Sequence, residues 1–136
     1  MKFLVDECLS PELTQRAHAR GYGESSHVVW LGRSGWKDWE LKSLILEGGV
    51  TKNSVDFRGP AAAPGSKGQY ADVAIHAGLV CLNGPPGMDL DMQIELFDQA
   101  LNELHTDSDL VNQALEITME DDSLHVRRYR LPAADL

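Results

Sequence analysis

The chain has 136 residues, 43% of them hydrophobic, and a formal net charge of −9 at pH 7. That length holds one domain with a substantial core (residues 1–136) and is too short for two ordinary ones, and no apolar run approaches a membrane span. So acidic a surface repels a phosphate backbone and excludes a DNA-coating protein, although not a metal nuclease, because bound divalent cations reverse the local field.

Residues 2–5 are near-continuously apolar after one Lys, the pattern of a buried parallel strand rather than of a signal peptide. The lack of a targeting signal points to the cytoplasm. Ser10-Pro11 offers an N-cap and a first helical proline. Leu9, Leu13 and Ala17 repeat every four residues, and Gly21 closes the helix. His27 to Leu31 is expected as a second strand, with Trp30 in the core. The spacing predicts a second helix over Lys37 to Leu46, with Leu41, Leu44 and Ile45 inward. A third strand is wanted near Val50, where two glycines leave room for a very short one. Residues 58–69 are a surface loop, and Tyr70 to His76 a helical turn.

Leu79 to Leu82 is another buried strand, broken by Asn83-Gly84-Pro85-Pro86-Gly87. Asp91 to His105 is the strongest helix, with Ile94, Phe97, Leu101 and Leu104 inward and Asp89 or Asp91 as its cap. A short helix over Asp107 to Asn112 follows. Leu115, Ile117 and Met119 alternate with Glu116 and Thr118. Glu120 to Ser123 turns the chain, and Leu124 and Val126 face in. Tyr129 and Leu131 are out of phase with them, which a bulge near Arg127-Arg128 would correct. The alternation implies an α/β fold with a mostly parallel sheet, helices on its faces and a C-terminal antiparallel hairpin.

Asp6 follows the first strand directly, the position where open α/β sheets place ligands. Asp38, Glu40 and Asp56 each lie beside an element boundary. Carboxylates gathered from separate elements suit Mg²⁺ or Mn²⁺, and the absence of His or Cys at ligand spacing argues against Zn²⁺. The structural alternatives are a helix cap for Asp6, a dipole interaction for Asp38, a solvent-facing residue for Glu40 and a turn organiser for Asp56. Cys8 and Cys81 read as reduced, largely buried thiols, and the five histidines as structural. Lys52, Arg58 and Lys67 form one basic cluster and Arg127, Arg128 and Arg130 another. Each suits phosphate or an acidic partner. Trp36 and Trp39 suit a stacked base or a partner surface.

Met1 to Glu7, Leu9 to Leu13, Gly21, His27, Gly35, Asp38-Trp39-Glu40-Leu41 and Thr51 to Gly59 together resemble the PIN-like DUF5615 family, related to Mut7-C and VapC-type PIN domains. The resemblance covers residues 1–82, and residues 83–136 correspond to a helix-plus-hairpin extension. It implies a three-layer α/β/α sandwich and a Mg²⁺- or Mn²⁺-dependent ribonuclease, a toxin held inactive by an antitoxin protein. It implies Asp6, Asp38 and Asp56 as catalytic and, with Glu40, as metal-holding. Thr51, Lys52, Asn53 and Arg58 would meet the RNA substrate. Two features depart from the family: Asn53 stands where many relatives have Asp, and the strand before Thr51 is abbreviated. They support a second reading, a catalytically degenerate PIN-like module that binds a protein partner and forms a homodimer. A small-molecule phosphatase using the same acids is a third.

Overall fold

The computed structural model describes residues 2–32, 48–52, 54–71, 73, 75–104 and 109–131, and within these every side chain except those of Val55 and Asp56. Two short strands, β1 (Leu4–Val5) and β2 (Ser26–His27), flank helix α1 (Glu12–Ala19). After them come β3 (Gly49–Thr51) and a single turn-and-a-half of helix, α2 (Ser54–Arg58). The second half holds β4 (Leu79–Asn83), α3 (Leu90–Glu103) and the hairpin β5 (Gln113–Glu120) and β6 (Ser123–Arg130). The helix expected over Lys37 to Leu46 lies outside the described residues, as do the first residues of the one expected from Asp107, whose described residues 109–112 form no helix.

The strands form one sheet in the order β2-β1-β3-β4-β5-β6, parallel from β2 to β5, with β6 antiparallel at the edge. The α/β class, the parallel sheet and the terminal hairpin are therefore as the alternation implies. Side chains alternate across the sheet with period two. Phe3, Val5, Val50, Val80, Leu82, Leu115 and Ile117 face one side, where Leu9, Leu13 and Ala17 of the α1 region and Leu96, Phe97, Ala100 and Leu101 of α3 cover them. Leu4, Leu79, Cys81 and Ala114 face the other, under Phe57 of α2 and Tyr70. Burying an aliphatic or aromatic side chain contributes about 1.5–3 kcal/mol, so these two clusters are what makes strands of two or three residues sufficient.

Local chemistry explains the element ends. The Asp89 carboxylate accepts from the Met92 N–H at 2.8 Å and starts α3. Ser10 Oγ accepts from the Glu12 N–H at the start of α1, and Gly21 follows that helix at φ +96°. Gly48 has φ +134° and lies against the backbone of Lys2, where a Cβ would collide. Its carbonyl accepts from the Leu4 N–H at 2.9 Å. The glycine pair that weakens β3 as a sequence signal is thus what lets the chain enter the sheet beside β1.

Three expectations are corrected. The second strand ends at His27 because the chain turns there, leaving Val29, Trp30 and Leu31 exposed rather than in the core. The hairpin carries no bulge: Gln113 to Glu120 pair with Arg130 to Ser123 without interruption. Leu124 and Val126 belong to one face and Tyr129 to the other, so no register shift is needed. Residues 70 and 71 form a turn, and no helix occurs among the described residues from 70 to 76.

The connections run in two directions. β1–α1–β2 goes one way across the sheet, and β3–α2–β4 and β4–α3–β5 go the other. Since α1 and α3 share a face, β4–α3–β5 has the opposite hand to the other two, an exception to the usual uniformity of such crossovers. With α1 and α2 on opposite faces, the chain leaves β1 and β3 toward opposite sides of the sheet, the switch point at which open α/β sheets form their ligand crevice.

Candidate functional site

Asp6 sits at that crevice. Its N–H donates to the Val50 carbonyl at 2.9 Å, extending the β1–β3 ladder one residue beyond β1. Its carbonyl accepts from the Leu9 N–H at 3.0 Å, closing the turn into α1. The side chain is buried, with only 4% of the residue exposed. Oδ1 accepts from the Glu7 N–H at 2.8 Å. Oδ2 accepts from the Thr51 hydroxyl at 2.9 Å and from the Cys8 thiol at 3.4 Å. A carboxylate has about four acceptor positions, so roughly one remains free for a ligand.

Cys8 and Thr51 complete this cluster, their Sγ and Oγ1 atoms 3.8 Å apart. Burial, and then the negative charge of Asp6, push the Cys8 thiol up to about 11. It is therefore a neutral S–H donor at physiological pH. Thr51, the last residue of β3, is buried, and Lys52 follows it at the exposed rim. A groove of about 290 Å³ opens at the same end of the sheet, between Lys52, Leu82, Asn83 and the Gly84-to-Met88 loop.

A second polar cluster lies on the α2 side of the sheet. Arg58 donates through Nε to Glu116 Oε2 at 2.8 Å and through Nη2 to Oε1 at 3.0 Å, a bidentate pair. Its Nη1 donates to the Gly59 carbonyl at 2.6 Å. Asn83 donates to Glu116 Oε1 at 2.8 Å and accepts from the Ser54 hydroxyl at 2.5 Å. The Tyr129 hydroxyl also donates to Glu116. Burial raises the Glu116 carboxyl, but these hydrogen bonds and the Arg58 charge outweigh it and hold it below its ordinary value. Arg58 was expected at the substrate. It is instead buried and committed to Glu116, because β5 is covered on both faces and a carboxylate there requires a cation.

Of the other expected residues, Asp38, Glu40 and Asn53 lie outside the described residues. The backbone of Asp56 lies in α2, and its side chain is likewise outside. Among the described residues no group of three His, Cys, Asp or Glu could hold a metal. His27 and His76 are structural. Each accepts an N–H at Nδ1, from Val29 and from Gly78, and donates through Nε2 to a carbonyl, of Leu9 and of Leu131. Sequence reasoning missed Cys8, Asn83, Glu116 and Tyr129. The one signal for Glu116 was its place in a strand whose apolar neighbours Ala114, Leu115 and Ile117 are all buried.

The fold and the crevice define an α/β protein of doubly wound strand order with a buried carboxylate at its switch point. No protein-family model matches the chain, and no solved structure matches it. An uncharacterized protein, y4eN of Sinorhizobium fredii (strain NBRC 101917 / NGR234), is 71% identical over 89 residues, covering 63% of this chain and 86% of that protein. The chain belongs to the same family as y4eN. No helix among the described residues is long and apolar enough to cross a membrane.

Proposed function

We propose that the protein is a PIN-like, divalent-metal-dependent ribonuclease acting in the cytoplasm, and the toxin of a toxin–antitoxin pair. The observation that carries this reading is the position of Asp6, a buried carboxylate at the carboxyl end of β1 where the sheet changes direction. Asp6 offers the carboxylate oxygens that a hard cation takes, and the thiol beside it is protonated and contributes no charge. Asp6 would hold Mg²⁺ or Mn²⁺, with Asp38, Asp56 and Glu40 as the further acids of the resemblance. Such an ion supplies water activation and neutralisation of charge at the scissile phosphate. The chain's own part is positional. The Thr51 hydroxyl and the Glu7 N–H hold the Asp6 carboxylate in one orientation, and Lys52 offers a cation on the same rim to an approaching phosphate.

Asp6→Asn tests this reading. Removing one metal-holding carboxylate should reduce Mn²⁺-dependent cleavage of end-labelled single-stranded RNA by about a hundredfold or more, with the thermal midpoint little changed. Cleavage that survives the substitution, or that ignores EDTA, would reject it.

One observation favours the degenerate, partner-binding module: three internal donors already engage the Asp6 carboxylate. Titration calorimetry separates the two readings. Mn²⁺ uptake that Asp6→Asn removes supports the nuclease, and no heat in either protein supports the module.

A further inference from the structure

The three C-terminal arginines lie on the outer edge strand of the sheet, in a protein of net charge −9. Arg127, Arg128 and Arg130 pair in register with Glu116, Leu115 and Gln113, toward the amino ends of the parallel strands. The opposite end of the hairpin, on the side of the Asp6 crevice, is the acidic turn Glu120-Asp121-Asp122. A phosphate backbone threaded to Asp6 would meet that turn before it met the arginines, so these cations are misplaced for an RNA substrate.

They are well placed for another ligand. β6 is eight residues long, as long as any strand in the sheet, and among the described residues β5 is its single neighbour. Alternate main-chain N–H and C=O groups of β6 therefore point outward, away from β5. Val126 is 41% exposed beside Arg128 and Arg130 on one face, and His125 and Arg127 occupy the other. Among the described residues, Arg127 and Arg128 form no ion pair and meet uncharged partners. Arg127 stacks 4.4 Å from the Tyr129 ring centroid and donates to the Ala61 carbonyl. Arg128 donates to Gln113 Oε1 and the Asp109 carbonyl. All of these acceptors are uncharged.

We propose that the outer edge of β6 docks an acidic, extended segment of a partner protein by strand addition. Main-chain hydrogen bonds would supply the pairing, and carboxylates on both faces of the incoming strand would meet the arginines. A second copy of this chain is disfavoured as the occupant, because its β6 holds no carboxylate between Ser123 and Arg130 to meet the arginines and would add three more cations to the same edge. The inference is independent of the catalytic reading.

The test uses a fluorescent synthetic peptide of repeating Glu-Glu-Thr-Thr, which carries carboxylates on both faces of an extended strand, with the intact protein. Amide hydrogen exchange should slow across β6 when the peptide is added. Arg130→Glu, at an exposed position, should weaken binding by about tenfold. The same peptide N-methylated at alternate amides keeps its charges but loses its donors, and it should not bind. Equal binding of the methylated peptide would reduce the effect to charge attraction and overturn the proposal. So would unchanged exchange in β6, or protection of the same amides by a single-stranded RNA oligomer and not by the peptide.

Discussion

At the scale of single residues, the crevice turns on three side chains from two segments. Asp6 and Cys8 come from the turn after β1, and Thr51 from the end of β3. Their proximity makes the Cys8 thiol a reporter of the Asp6 charge. With its pKa near 11 rather than 9.0, Cys8 should react with iodoacetamide at pH 8 about a hundredfold more slowly than an ordinary cysteine. Asp6→Asn removes the second-largest cause of that shift and should accelerate the reaction, as mass spectrometry of the Cys8 peptide can follow. An unchanged rate would show that burial alone controls the thiol. Cys81 is fully buried and pushed up to about 12, chiefly by that burial, so it should stay unmodified until the protein unfolds.

Elements are joined by the Arg58–Glu116 pair, which links α2 to the C-terminal hairpin. The hairpin is therefore part of the core: Glu116 from β5 and Tyr129 from β6 close over the residues that anchor α2, the helix that carries Asp56. Removing one member of a buried ion pair leaves an unpaired buried charge. Glu116→Leu should therefore cost about 3–5 kcal/mol by urea denaturation. The double variant Glu116→Leu with Arg58→Met should recover most of that loss. A double variant no more stable than Glu116→Leu alone would assign the cost to misfit apolar packing instead.

For the whole molecule, Glu116 and His76 give acid the same sign of effect. Glu116 is held below its ordinary carboxylate value in the fold, so its stabilisation is present at neutral pH and lost as pH falls through that depressed value. His76 is lowered, first by burial, against a smaller opposing contribution from its bond to the Leu131 carbonyl. It is neutral in the fold, and its contribution fades below the ordinary histidine value as the unfolded chain takes up protons. The urea midpoint should hold between about pH 7 and 8 and fall below about pH 6. It should fall further through the carboxylate range, and Glu116→Gln should flatten that lower limb. A midpoint that rises on acidification, through relief of the net negative charge, would contradict this assignment.

Periodicity and punctuation carried the class of fold. Alternation of apolar strands with helical repeats dictates a parallel sheet, Asp89 and Gly21 mark helix ends through local hydrogen bonding and backbone freedom, and the run from Leu79 to Leu82 is too apolar to lie anywhere but inside. These are short-range effects, written in neighbouring residues. Other features depend on contacts between distant segments. Gly48 makes sense only against the backbone of Lys2, and Arg58 looks like a surface cation until Glu116 arrives from 58 residues away. The hairpin needs no bulge because Leu124 packs against the core on one face and Tyr129 on the other, while Val126 stays exposed rather than facing in. The strand order, the odd-handed β4–α3–β5 crossover and the meeting of Asp6 with Thr51 were likewise decided by tertiary packing, since burial and ion pairing reward proximity in space, which the order of residues along a chain does not encode locally.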